Sequence, residues 1–143
     1  MSDAKPGLFT FEGAPQQDVR SLAFIGDAVC HLYARQRLCT AGASKGLTPR
    51  AAAFASAAGQ ARAAERITTL LSEDEADVLR RGRNAKCGTV PRGCDPLDYR
   101  KATGFEALMG WLYLKGRAAR LQELLDAAFA PEPGAKTTET SDQ

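Results

Sequence analysis

Histidine is nearly absent: His31 is the only one among 143 residues, and the sequence shows it no evident partner. Cysteine is sparse as well. Cys30, Cys39, Cys87 and Cys94 contain no C-x-x-C pair, so the usual zinc-ligand spacings are not met. Reduced thiols of a cytosolic protein are the plainer reading. No apolar run approaches the roughly 18 residues that span a bilayer. The opening MSDAKPGLFTFEG has no apolar core of signal-peptide type. The expectation is a cytoplasmic protein with no membrane partner. An excess of one charge is also missing: the formal net charge is +2, too small by itself to imply a nucleic-acid partner. No stretch reads as a strand, and no internal repeat occurs.

What is present is helix. With 44% hydrophobic and 25% charged residues, the chain reads as one soluble globular domain. Residues 1–14 read as a flexible arm, 15–130 as the folded domain, and 131–143 as a disordered polar tail. A first helix is expected from Pro15 or Gln16 to about Cys39, with Val19, Leu22, Ala23, Val29, Leu32 and Tyr33 at helical spacing. Thr48-Pro49 reads as a cap followed by proline at the first helical position. An alanine-rich helix then runs from Arg50 to Leu71. Ser72 and Glu75 form a capping-box pattern that opens a short helix ending near Arg81-Gly82. Residues 84–95 read as a loop. Asp95-Pro96 opens a helix to Leu114 or Lys115, and Gly116 ends it. A final helix covers about Ala118 to Phe129. The fold class is all-α.

Two acids stand out by their surroundings. Asp27 lies in LAFIGDAVC and Glu106 in GFEALMGWLYL, both in apolar helical runs. A carboxylate placed there needs a partner, because burying an unpaired charge is costly. Two of them on separate helices suit a shared divalent cation, and Mg²⁺ takes one or two carboxylates and keeps several waters. The plainer alternative is that each acid lies on the polar edge of its helix or pairs with arginine. Gly26 and Gly110 would let another backbone, or a ligand, come close.

LAFIGDAV resembles the signature of the ribonuclease III fold, approximately L-E-F-L-G-D-A-V. TGFEALMGWLYL resembles that fold's second signature, D-x-x-E-A-L-I-G-A-x-x-L. The run from RRGRNAK to LQEL is similar to the mini-ribonuclease III branch, which has a catalytic domain and no double-stranded-RNA-binding domain. The resemblance spans about residues 19–129. It implies a ribonuclease III-like helical bundle, with Asp27 and Glu106 as catalytic and metal-binding residues and Mg²⁺ as the cofactor. It also implies hydrolysis of double-stranded RNA to 5′-phosphate and 3′-hydroxyl ends, by a symmetric homodimer. The implied substrate is precursor 23S ribosomal RNA. Two positions depart from full-length ribonuclease III: Ala23 stands for a glutamate and Thr103 for an aspartate. Bound water and RNA phosphate would then have to supply most of the metal ligands.

Between the two signatures lies a basic cluster. Arg81, Arg83, Asn84 and Lys86, with Arg100 and Lys101 behind them, suit the phosphates and 2′-hydroxyls of A-form RNA. Lys45 is a weaker candidate. Each cation taken singly also reads as a solvated surface residue. Gly82 and Gly88 are expected to let this loop approach a duplex. Phe105, Trp111 and Tyr113 are expected in the core or a dimer contact, and Phe24 and Tyr33 in packing. The first helix, apolar around Phe24 and Ile25, is the expected interface. The rival to an enzyme is a non-catalytic RNA-binding protein of the same fold, which would need neither acid. A helical interaction module with the acids in salt bridges would leave RGRNAK unexplained.

Overall fold

Residues 102–114 are apolar on nearly every side apart from Thr103 and Glu106, as expected of a helix surrounded by others. The computed structural model, which describes residues 18–85 and 89–130, bears this out. Its helices are α1 (Val19–Thr40), α2 (Leu47–Ala55), α3 (Ala57–Ile67), α4 (Glu73–Asn84), α5 (Pro96–Leu114) and α6 (Ala118–Ala128). No strand occurs among the described residues, and none of their helices is long and apolar enough to cross a membrane. Helices α1, α3, α4 and α6 all pack on α5. Phe105, Leu108, Met109 and Leu112 of α5 are fully buried, and burying each such side chain contributes about 2–3 kcal/mol.

Several ends follow their local chemistry. Asp95 caps α5 by accepting a hydrogen bond from the Leu97 amide at 2.8 Å, with Pro96 in the first turn. Gly116, at φ 71°, ends it, in the left-handed conformation glycine tolerates. The Ser72–Glu75 capping box is complete. Glu75 also receives Arg120 of α6, whose Nε and Nη2 donate to its two oxygens at 2.9 and 2.8 Å. This forked pair ties α4 to α6.

Other ends differ from expectation. Helix α1 begins at Val19, capped by Asp18, which accepts from the Arg20 and Ser21 amides at 2.9 and 3.1 Å. Thr48-Pro49 does not open α2; Gly46, at φ 63°, precedes the helix and Leu47 begins it. The alanine-rich run is not one helix. Ser56 turns extended (φ −67°, ψ 155°) and caps α3 by accepting from the Gly59 amide at 3.0 Å. A serine hydroxyl competes for backbone groups, while the alanines around it hold no preference for one continuous helix over two. At Gly59 a Cβ would lie 2.5 Å from the Ala53 carbonyl oxygen. Helix α4 runs on through Gly82 to Asn84, so Gly82 is no terminator. The expected arm, the tail, Lys86, Cys87 and Gly88 lie outside the described residues.

Candidate active site

Asp27 and Glu106 meet because α1 and α5 touch backbone to backbone. A Cβ at Gly26 would lie 1.6 Å from the Glu106 carbonyl oxygen, and one at Gly110 would lie 2.0 Å from that of Leu22. No other residue type fits this crossing. The close approach expected of both glycines is thus to a helix backbone. Asp27 follows one contact point and Glu106 forms it, so both carboxyls emerge on the same side of the crossing.

Their surroundings differ. Asp27 is not buried: its side chain is 52% exposed. Glu106 lies deeper, and burial pushes its carboxyl up to about 9, helped by a hydrogen bond and charge repulsion from Asp27. The Gln60 amide on α3 opposes this rise. The buried Cys30 thiol is raised well above its ordinary value, first by burial and then by the negative charge of Glu106 and Asp27. A partly buried carboxyl held against a second one is an electrostatic arrangement that a cation relieves. Among the described residues no group of three or more His, Cys, Asp or Glu side chains stands ready for a metal. The two carboxyls are the oxygen donors this site could offer, a set that would suit an oxygen-seeking ion that keeps its waters.

Both carboxyls open into a cavity of about 640 Å³. Ala23 and Thr103, the two departures noted in the sequence, line it together with Arg20, Gln60, Cys94 and Tyr99. Ala23 leaves space beside Asp27, and the Thr103 hydroxyl donates back to the Tyr99 carbonyl at 2.9 Å. Arg20, Gln60 and Tyr99 escaped the sequence reading. Arg20 and Tyr99 are each seven residues before an acid, two helical turns along one face, which is a readable signal. Gln60 had none. His31 also differs from expectation: its Nε2 lies 3.4 Å from Asp27 Oδ1, one turn along α1. Spacing of four on a helix is the signal there.

The expected cations separate. Arg81, Arg83 and Asn84 are exposed at the end of α4, and Arg81 lies 3.6 Å from Asp77. Gly82 between them is buried: its Cβ would lie 2.8 Å from Gly104 Cα. That glycine serves the packing of α4 on α5, not loop approach to a duplex. Arg100 is exposed, whereas Lys101 is ion-paired with Glu65 of α3. Lys45 is exposed between α1 and α2 and does not line the cavity.

The aromatics divide too. Phe105 and Trp111 are buried, and Tyr33 stacks on Phe129 with ring centres 5.8 Å apart. Phe24, expected in packing and on the interface face of the first helix, is largely uncovered within the chain. It is 82% exposed, and Leu32 further along α1 is 58% exposed. Helix α1 spends its buried side on α5, which leaves this apolar face outward.

The Ribonuclease III domain model matches residues 20–117. Mini-ribonuclease 3 of Thermoanaerobacter sp. is 44% identical over 83% of this chain and 85% of its own. Those of Symbiobacterium thermophilum (44%, covering 76% and 85%) and Gloeobacter violaceus (46%, covering 69% and 73%) are similarly related. The crystal structure of a Fusobacterium nucleatum protein, 28% identical, covers 78% of this chain and 90% of that one at a TM-score of 0.71. Matched over most of its described length by that domain, and by mini-ribonuclease 3 proteins of several bacteria, the chain belongs to the ribonuclease III family.

Proposed function

We propose that this protein is a Mg²⁺-dependent endoribonuclease that cleaves double-stranded RNA as a cytoplasmic homodimer, with precursor 23S ribosomal RNA as its substrate. The observation that carries the reading is the Asp27–Glu106 pair at the α1–α5 crossing, open to a cavity in a chain of this family. The ribosomal substrate rests on the family resemblance alone.

Asp27 and Glu106 would hold the ion. Bound there, Mg²⁺ supplies an acidified water and neutralises charge on the scissile phosphate. Glu106, proton-bearing near neutrality, must release that proton to become a ligand. Asp27, more exposed, faces solvent and substrate. The small walls Ala23, Ala57 and Ala102 leave room for a phosphate and its waters, so that RNA oxygens complete the ligand set. Arg81, Arg83, Asn84, Lys86 and Arg100 are proposed to contact the duplex. Lys101, bound to Glu65, reaches RNA only by giving up that pair. Two copies would set two carboxyl pairs across one duplex, and the exposed Phe24 face of α1 supports an interface there. Products would carry 5′-phosphate and 3′-hydroxyl ends.

The test is cleavage of double-stranded RNA in Mg²⁺ by the wild type, Asp27→Asn and Glu106→Gln. The wild type should cut, and both variants should bind without cutting. Binding without cleavage by the wild type would favour the non-catalytic reading. Arg83→Ala should weaken binding and lower the salt slope by about one; an unchanged slope removes Arg83 from the RNA surface.

A further inference from the structure

Gln60 is a polar side chain in a place built for an apolar one. It is 1% exposed on α3, on the helix whose other buried residues include Ala61, Ala63 and Ala64. Its Nε2 has no hydrogen-bond partner among the described residues. An amide carries two donors on that nitrogen, and leaving a buried donor unpaired is a net loss of stability. Leucine or methionine would fill a similar volume without that loss, so packing alone does not account for glutamine here.

The location supplies the missing reason. Gln60 lines the cavity with Asp27 and Glu106, and it acts to lower the Glu106 carboxyl against the rise from burial. Yet Nε2 completes no hydrogen bond of normal geometry. A carboxylate turns about its last torsion with little resistance. A donor from a neighbouring helix removes that freedom by engaging one oxygen and leaving the other for a ligand. Carboxylates that bind metals are themselves hydrogen-bonded in this way, and losing the outer partner commonly costs 10–100-fold in metal affinity.

We propose that Gln60 is a positioning residue, whose amide donates to Glu106 and presents that carboxylate to the divalent cation. The inference rests on the metal-site reading above. Helix α3 thereby takes part in the site without contributing a ligand.

The experiment uses the full chain and needs no RNA. Mn²⁺ binding is measured by titration calorimetry for the wild type, Gln60→Leu, Gln60→Met, Asp27→Asn and Glu106→Gln, with thermal melts in EDTA alongside. Both Gln60 variants should bind Mn²⁺ about 10–100-fold more weakly, with melting temperatures equal to or above the wild type. Unchanged affinity overturns the proposal, and a lowered melting temperature with unchanged affinity shows a purely structural residue. Should the branched leucine fail to fold, the unbranched methionine decides by the same readout. If Asp27→Asn and Glu106→Gln abolish binding while the Gln60 variants do not, this inference alone fails. If those two also bind as the wild type does, the metal-site reading falls and this inference with it.

Discussion

Glu106→Gln should make the metal-free protein more stable, by an amount that grows with pH. The wild-type carboxyl is held up at about 9, against an ordinary 4.5 in the unfolded chain, chiefly by burial. Below pH 4.5 both states carry the proton, and the residue adds no pH-dependent cost. As pH rises toward 9, the unfolded chain releases the proton while the folded one keeps it, so stability drains away across that window. At about 1.4 kcal/mol per pH unit, the loss at pH 7 is roughly 3 kcal/mol at most, on the order of 10 °C in Tm for a domain of this size. Glutamine keeps the shape and, like the protonated carboxyl, offers both a donor and an acceptor without a titrating proton, so it escapes the loss. The assay is thermal or urea denaturation of both proteins in EDTA between pH 4.5 and 8.5. Curves that run parallel would refute the reasoning. On the proposed function the same variant should not cleave RNA, and that result would make Glu106 a residue where function is maintained at the expense of stability.

Gly26→Ala should be among the most damaging single changes, because its methyl meets a backbone carbonyl at 1.6 Å; a loss of about 4 kcal/mol or outright failure to fold is expected, read by urea denaturation. Arg120→Met strips the cationic partner from the nearly buried Glu75 and should cost about 2–3 kcal/mol. Arg120 lowers the Glu75 carboxyl, so that cost should be full at neutral pH and shrink as pH falls below the usual carboxylate range; a gap constant with pH would discount the pair. With α1 as the proposed homodimer interface, Phe24→Glu should sediment as a monomer where the wild type sediments as a dimer, with no loss of monomer stability because the ring is 82% exposed. A variant that stays dimeric places the interface elsewhere.

Where a structural choice was local, the sequence displayed it. Asp95-Pro96 and Ser72 with Glu75 satisfy orphan amides within a few residues of themselves, so their patterns read correctly. Glycines at 26 and 110 read as close-approach sites because they flank an acid in an apolar run. The errors share a different character. Ser56 breaks the alanine run through competition between neighbours of nearly equal preference. Gly82 read as a stop, since nothing nearby shows that Gly104 lies across from it. Asp27 read as buried from its apolar neighbours, but in a helix those neighbours point in other directions. Phe24, read as packing or interface, and Gln60, not read at all, are the paired cases: an aromatic on the surface of the chain and an amide inside it. Their places depend on which face α5 takes from α1 and α3, which is a property of the assembled bundle.

The contact between Gly82 and Gly104 fixes more than the angle between two helices. Arg81, Arg83 and Asn84 ride on one side of that contact, and Glu106 follows Gly104 by half a turn on the other. The proposed RNA contacts and the proposed catalytic acid would therefore share one mount. On the proposed reading, an RNA held at the end of α4 would have its cut position gauged by this backbone contact. A bulkier residue at either glycine would act like a shim, and its signature would be a displaced cut on the duplex.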